Sequence, residues 1–431
     1  MAVVGAGAAG LTAAFAAAKA GAQVTLLNAH PRIGLKILMS GGTRCNVTHR
    51  EVSERDYQGG SRHFIARVLR AFPVERTIAW FEDMGVALKL EDSGKYFPVS
   101  DDANTVLEAL LKAVTEAGVS IDHGARAVRL ERAGDASGYR LGIQTVRSAA
   151  AFDGGGVSRR GEAAWPLPEI EPDRWLEADA VVIATGGLSF PRTGSDGVGY
   201  ALVTALGHTL EPPIPALTPL ASNDALCAAA QGITLDVELS LWVGGKRIER
   251  VEGSMVIAHF GYSGPAALDL SRHWLRAAGD RRVAASFAPQ ESAESFRAAW
   301  VDAARQAPER TVRRHLARWL PERLGERLAQ EAGVDPNARV NQVERPRREA
   351  LIARVIERDL GVIGTLGYEK AEVTAGGVRL PEVDPSTLES RKSPGLFLCG
   401  EILDVEGRLG GFNFQWAWSS GTVAGEASAR R

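Results

Sequence analysis

Cysteine is scarce in this chain. Three occur in 431 residues, Cys45, Cys227 and Cys399, and no two form a CxxC pair. A disulfide scaffold, a four-thiolate zinc site and a vicinal dithiol redox centre are excluded, and no metal site is expected. Net charge is nearly absent too: 50 basic residues against 52 acidic ones leave −2, with a pI near 6.5. A protein held chiefly by phosphates is more basic, so the balance argues against a nucleic-acid partner. Long apolar runs are limited to Met1–Ala18, which has no charge. It has no basic start, and Gly5, Gly7 and Gly10 interrupt it, so it reads as strand, glycine turn and helix rather than a signal peptide or membrane span. These absences point to a soluble, cytoplasmic protein. What is present is a globular composition, 45% hydrophobic and 24% charged, with length for two or three domains and 47 glycines.

Ala2–Val4 reads as a strand, short enough to leave room for further residues upstream. Gly5, Gly7, Ala9 and Gly10 then open a helix through Ala20, Gly21 caps it, and Gln23–Leu27 is the next strand. This is the context the GxGxxG dinucleotide fingerprint requires. The first glycine permits the turn, the second lets a pyrophosphate approach backbone, and the third lets helix pack on strand. The acid expected about 20 residues on to hold a ribose diol is absent. Asn28 and Ala29 stand there. Asn28 either makes a weaker ribose contact or merely ends the strand.

The polar, glycine-rich segment after this strand suits a flavin domain, which runs along an extended cofactor, better than a nicotinamide domain, which proceeds to a helix. Lys36 and Arg44 are candidates to neutralise phosphates, and Ser40 and Asn46 to bond the ribityl chain or ring. A buried strand, Val181–Ala184, leads into Thr185, Gly186 and Gly187. Another, near Leu396, leads into Gly400, Glu401, Asp404 and then Gly410, Gly411, Phe412 and Asn413 before a helix. That helix start would aim N–H groups at the flavin pyrimidine edge, which is anionic when reduced. Asn413 equally suits a helix N-cap.

The strings LKILMSGGTRCNVTH (35–49), GKYFPVSDDA (94–103), VVIATGGLSFPRTGSDGVGY (181–200), HFGYSGPAALDLS (259–271), VTAGGV (373–378) and GLFLCGEILDVEGRLGGFNFQWAWSSG (395–421) carry a closer likeness. From Val3 to about Gly425 the chain resembles the bacterial NAD(P)/FAD-dependent flavoprotein family with a helical insert, whose members are described as aminoacetone-oxidase-like and enone-reductase-like. The resemblance implies an α/β fold: a glutathione-reductase-type, Rossmann-like FAD-binding domain with an inserted small β domain and a helical subdomain. It implies non-covalent FAD, with NAD(P)H as a candidate electron donor. The expected cofactor set is Gly5, Gly7, Ala9, Gly10, Asn28, Ala29, Lys36, Ser40, Gly41, Arg44, Asn46, Val128, Thr185, Gly186, Gly187, Gly400, Glu401, Asp404, Gly410, Gly411, Phe412 and Asn413. Three positions depart from the pattern: Asn28 for an acid, Thr43 where a third glycine is common, and Ala258 where a threonine precedes His259.

The FAD domain is expected at 1–211 and 367–431, a β-rich substrate domain at 212–289 with part of 345–366, and a helical insert at 290–345. Pro212, Pro213, Pro215 and Pro219 mark the exit linker. Ile233–Leu241 alternates as a half-buried strand, Gly244–Gly245 turns, Arg247–Val251 returns, and Met255–His259 is a further strand. Val312, Leu316, Trp319 and Leu320 share a helical face, leaving Arg313, Arg314 and Arg318 as a solvated basic face or an RNA surface. Residues 147–176, with a glycine run, read as a surface excursion.

His259 is the candidate acid–base group, against a structural histidine. Cys45 is a small buried residue or a redox group. Lys95, Tyr96 and Tyr262 are candidates to face substrate. The reading is an FAD-dependent oxidoreductase moving hydride between a small organic substrate and flavin, with NAD(P)H or dioxygen as second partner. The alternatives are a flavin-dependent RNA-modifying enzyme and a redox-responsive FAD-binding partner protein.

Overall fold

The computed structural model describes residues 1–134, 138–152 and 170–431. The expected excursion at 147–176 falls largely outside the described residues; its end forms the strand Arg174–Ala178. The chain divides into two units, Met1–Pro215 with Gly367–Arg431, and Ala216–Leu366.

In the first unit, β1 (Ala2–Val4), β2 (Thr25–Asn28), β3 (Ser120–His123), β4 (Val181–Ile183) and β5 (Leu396–Leu398) form a parallel sheet in the order β5-β4-β1-β2-β3. β1, β4 and β5 are apolar and wholly buried, as strands covered on both faces must be. The first helix, Ala8–Lys19, stops where Gly21 turns left-handed (φ 97°) and Ala22 N–H bonds back to Ala17 O. The last helix, Phe412–Ser428, packs on it. A Cβ at Gly421 would lie 2.5 Å from Ala9 O, and one at Gly425 2.3 Å from Ala13 O, so only glycine permits this crossing. A three-stranded antiparallel sheet (Ala125–Ala133, Gly138–Thr145, Arg174–Ala178) lies between β3 and β4 in the chain. The proline-rich stretch is not a bare linker: Leu210–Ala216 pairs with Val373–Val378 as a two-stranded ribbon, whose edges tolerate missing N–H donors.

The second unit holds a seven-stranded antiparallel sheet. Its long hairpin, Thr234–Val243 and Lys246–Ala258, turns at Gly244 and Gly245, both with positive φ. The return arm and the further strand expected near Met255 are one continuous strand, because a single partner pairs along it. The helices of 293–356 share the sheet's core: Phe296, Trp300, Leu316, Leu324 and Leu351 pack in one cluster with Leu239, Leu241 and Val283.

Candidate cofactor site

The three fingerprint glycines differ in what surrounds them. A Cβ on Gly5 would lie 2.5 Å from Ala184 O, and one on Gly10 only 1.7 Å from Gly5 O. Those two are required by packing. A Cβ on Gly7 would meet nothing within 4 Å, and its backbone is ordinarily extended. Gly7 therefore faces open space at the start of the first helix. Ala9 is small because Gly400 closes on it: a Cβ there would stand 2.7 Å from Ala9 Cβ.

At the end of β2, Asn28 is buried, and its amide donates to His30 O. Ala29 is half-buried beside it. Val128 sits, half-buried, where the Ala125–Ala133 strand bulges. Arg126 on the same strand pairs with buried Asp196 at 2.5 Å, and Asp196 also accepts Val198 N–H at 3.0 Å.

Lys36 does not stand alone. Its ammonium donates to Ser189 Oγ (2.7 Å) and Glu401 Oε2 (3.0 Å), while Glu401 Oε1 accepts from Ser189 Oγ (2.9 Å) and Thr374 N–H (2.8 Å). Thr374 Oγ1 in turn accepts the N–H groups of Leu188 and Ser189, at 2.7 and 3.1 Å. Gly187 is needed here, since a Cβ would meet Thr374 Oγ1 at 2.4 Å. Gly186 is left-handed, and a Cβ there would lie 3.0 Å from Ser195 Oγ and 3.9 Å from Lys36 Nζ and Glu401 Oε2. Thr185 fills the space above Gly199, and Asp404 joins two strand edges through Gly60 N–H and Val378 O, each at 3.0 Å. Sequence reasoning overlooked Ser189 and Thr374, because hydroxyls this far apart in the chain carry no local pattern.

The segment after β2 is the helix Leu35–Thr43, which breaks within itself at Ser40, Gly41 and Gly42. Gly41, Gly42, Thr43 and Cys45 all have positive φ, between 56° and 70°. For Thr43 and Cys45 this costs about 1–2 kcal/mol each. The turn wraps Phe97: the Arg44 guanidinium lies 4.0 Å over that ring, and a Cβ on Gly41 would be 2.9 Å from it. Arg44 points away from Lys36's cluster, to Glu91 (2.7 Å) and Asp101 (3.4 Å), and these carboxylates push its pKa up. Ser40 Oγ is spent on Ile37 O. Burial raises the Cys45 thiol to about 12, which suits a packing residue and not a thiolate. Asn46 is buried, and its Oδ1 has no hydrogen-bond partner among the described residues. Gly411 faces that oxygen, where a Cβ would come within 2.8 Å.

Asn413 is not the cap of the last helix. Gly411, left-handed at φ 94°, holds that place. The Asn413 carboxamide instead clasps Gly407, accepting its N–H at 2.8 Å and donating to its carbonyl at 2.9 Å. Gly410 has Lys95 Cε near its missing Cβ, at 3.6 Å, and Phe412 stacks on His49 at 4.8 Å.

In the second unit His259 is exposed on the turn between Lys246–Ala258 and Gly261–Ser263. Tyr262 cannot face a substrate: it is wholly buried beside Cys227, and that burial pushes its phenol pKa up. Arg313 is occupied by Glu326 (2.8 Å) and Glu322 (3.2 Å), so the basic helical face is partly neutralised. One arrangement in the first unit mimics a hydrolase triad. His208 lies 2.9 Å from Glu382 Oε2 and 2.7 Å from Ser390 Oγ. Ser390 Oγ accepts two backbone N–H groups as well and is buried, so the cluster is a structural clasp. Among the described residues no group of three or more His, Cys, Asp or Glu side chains is placed to hold a metal, and no helix is long and apolar enough to cross a membrane.

Known proteins share this architecture. Residues 1–159 and 162–427 match the family model described as the HI0933-like protein Rossmann domain. The chain is 34% identical to the 3-dehydro-bile acid delta(4,6)-reductase of Clostridium scindens over 434 residues, 100% of this chain and 98% of the relative. It is 32% identical to the ribosomal RNA dihydrouridine synthase of Escherichia coli, covering 97% of this chain and 95% of that one. Among solved structures, the 3-ketosteroid-delta4-(5alpha)-dehydrogenase of Rhodococcus jostii RHA1 is similar at 15% identity, with a TM-score of 0.45, covering 100% of this chain and 96% of that one.

Proposed function

The chain belongs to the HI0933-like Rossmann-domain family, and from that premise we propose that it is an FAD-dependent oxidoreductase that saturates a carbon–carbon double bond conjugated with a carbonyl group. The observation that carries this reading is the identity of about a third running through both units to a relative named as a delta(4,6)-reductase. A shared nucleotide fold alone would match one unit. The second relative's name, a dihydrouridine synthase, describes the same class of change on a different molecule: loss of a double bond beside a carbonyl. Of the two activities the resemblance implies, reduction is therefore favoured over amine oxidation.

The residues present fit FAD. Gly7 leaves backbone open beside a helix start, where phosphate is stabilised. Asn46 holds a buried oxygen without a partner. Bound FAD supplies two-electron hydride chemistry that no side chain here offers. Gly7 would take the pyrophosphate at the helix start that Gly5 and Gly10 allow to pack, Lys36 and Glu401 the polar linker, and Asn46 with Gly410–Phe412 the ring. Saturation needs a proton at the carbon that does not receive hydride. NAD(P)H is the proposed electron source.

A second reading, with an RNA base as substrate, is favoured by the relative's name and by residues 305–358, which carry 13 arginines against 8 acids. One experiment separates them. The purified protein is expected to be yellow and to be bleached by NADH or NADPH without oxygen. Addition of a 3-oxo-Δ4 steroid or of an unmodified ribosomal RNA transcript then shows which substrate class restores the flavin spectrum. A colourless protein that takes up no added FAD overturns the proposal.

A further inference from the structure

We propose that Arg44 is a positioning residue: it touches no cofactor, but holds the left-handed turn Gly41–Cys45 closed around Phe97 and thereby fixes Asn46 at the cofactor site. Proximity to glycines and to a polar segment suggests a phosphate ligand, but the structure directs this side chain elsewhere. Its guanidinium is stacked on Phe97, its Nη1 is taken by Glu91 and Asp101, and Nε reaches back to Gly41 O at 3.4 Å. Arg44 is the one residue between Gly41 and Cys45 with negative φ. Its neighbours on both sides, Thr43 and Cys45, are held in a conformation that side-chain-bearing residues avoid.

Such a turn persists only where the surroundings over-determine it. The ties are few. Cys45 N–H bonds Ser40 O at 3.1 Å, and Val47 N–H bonds Tyr96 O at 2.9 Å. Between them, Arg44 is the side chain that pins the turn to the strand Lys95–Pro98 and to the flanking acids. Asp101, itself left-handed, is braced by Lys89 at 2.5 Å, so the clamp has a fixed anchor. Asn46 follows directly. Its N–H is 3.0 Å from where a Cβ of Gly41 would be, and its Oδ1 2.8 Å from where a Cβ of Gly411 would be. A shift in the turn therefore moves the one buried carboxamide oxygen in this part of the site that has no partner.

The inference rests on the FAD reading for its ligand, but not for the clamp. Amide hydrogen exchange reads the clamp without any cofactor. In R44A, exchange of the amides of residues 41–46 is expected to quicken at least tenfold, with the helix 103–116 unchanged. FAD is expected to bind at least tenfold more weakly to R44A, and R44K, which lacks the flat fork, to recover only part of the loss. The decisive variant is the double mutant T43G/R44A. Glycine removes the strain that Arg44 contains, so FAD affinity is expected to return to within about threefold of the parent. A direct phosphate ligand predicts no such rescue. Unchanged exchange in R44A, unchanged FAD affinity in R44A, or a double mutant as weak as R44A each overturns the inference. A parent protein that takes up no FAD overturns the functional reading instead, and leaves the exchange result to decide the clamp.

Discussion

The two units reach stability by different means. In the first, backbone lies against backbone, and local rules are broken to allow it. Among the described residues, five of the six side-chain-bearing ones with positive φ, namely Thr43, Cys45, Asp101, Phe190 and Leu388, lie there, against Leu217 in the second. The second unit instead keeps regular strands and helices, around a core that includes Phe296, Trp300 and Trp274. Its irregularity is chemical: His315 is wholly buried among Phe296, Trp300 and Trp319, with neither ring nitrogen hydrogen-bonded. The strained turn of the first unit leads directly into Asn46, whereas the unpaired nitrogens of His315 lie within aromatic packing.

The largest expected effects separate packing glycines from ligand glycines in the first unit. G10A forces a methyl group 1.7 Å from Gly5 O, where neither backbone can yield. A loss of about 3 kcal/mol or more is expected, with FAD binding lost as a consequence. G7V places its side chain in open space on extended backbone. Its stability without flavin is expected to stay within about 1 kcal/mol of the parent, while FAD binding disappears. Denaturant titration of the flavin-free variants beside FAD titration checks the split. A destabilised G7V would mean that all three glycines serve the fold alone.

Acid tests the second unit's misfit. Burial, and then Arg318 and Arg310, depress the His315 pKa from 6.5 to about 4. A depressed folded value means that protonation favours the unfolded chain. The contribution is intact above pH 6.5 and is lost as the pH falls to about 4, to a total of about 3 kcal/mol. H315F keeps the aromatic packing and removes both unpaired nitrogens. It is expected to match or exceed the parent at pH 7 and to lose about 3 kcal/mol less by pH 4. The first unit weakens in acid through its own groups. Burial opposes the charged form of Glu382, but Lys392, Thr209 and His208 hold it down to about 2, so its contribution is lost below pH 4.5. Burial likewise lowers the His208 pKa. Urea unfolding at pH 7, 5.5 and 4 is the measurement, and equal acid sensitivity of H315F and parent would refute the assignment.

A middling effect is expected at Asn413. Its clasp on the buried Gly407 contributes two hydrogen bonds at about 1 kcal/mol each. N413A is expected to lose about 2 kcal/mol by denaturant titration, without a selective change in the flavin midpoint potential. A changed potential at unchanged stability would instead return this side chain to the ring.

This residue also shows where the sequence was legible. The order strand, glycine turn, helix and strand was readable from Ala2 to Asn28, because apolar runs and glycine spacing are local. The hairpin turn at Gly244–Gly245 was readable for the same reason. The prolines at 212, 213 and 215 read as linker because the strand that accepts them, Val373–Val378, lies far along the chain. Asn413 read equally as a ring contact or a cap from its place before a helix, but Gly411 with positive φ holds the cap position and Asn413 reaches Gly407 instead. Lys36 and Glu401 were visible separately, while their pairing through Ser189 was not. Tertiary partners, not local propensity, account for each miss.

The smallest expected effect, T43G, asks whether the first unit's strain is a cost carried for the site. Thr43 is exposed, its φ is 70°, and its hydroxyl bonds only the adjacent Gly42 carbonyl, at 2.6 Å. A left-handed threonine costs about 1–2 kcal/mol relative to a residue without Cβ. Glycine gives back part of this gain, since it makes the unfolded chain more flexible by about 0.4–1 kcal/mol. The net is a stabilisation of about 0.5–1 kcal/mol. Because no packing is lost at an exposed position, the sign is set by the backbone alone. The measurement is the denaturant midpoint at unchanged slope, with L217G as the second unit's counterpart. Leu217 also has positive φ (52°) but is buried, so its loss of apolar burial is expected to exceed the relief and to destabilise. Opposite signs at the two sites would establish that the strain at Thr43 is separable from packing, as that at Leu217 is not. A destabilised T43G would mean that the turn is held by contacts of Thr43 itself, and the contrast between the units would then rest on packing in both.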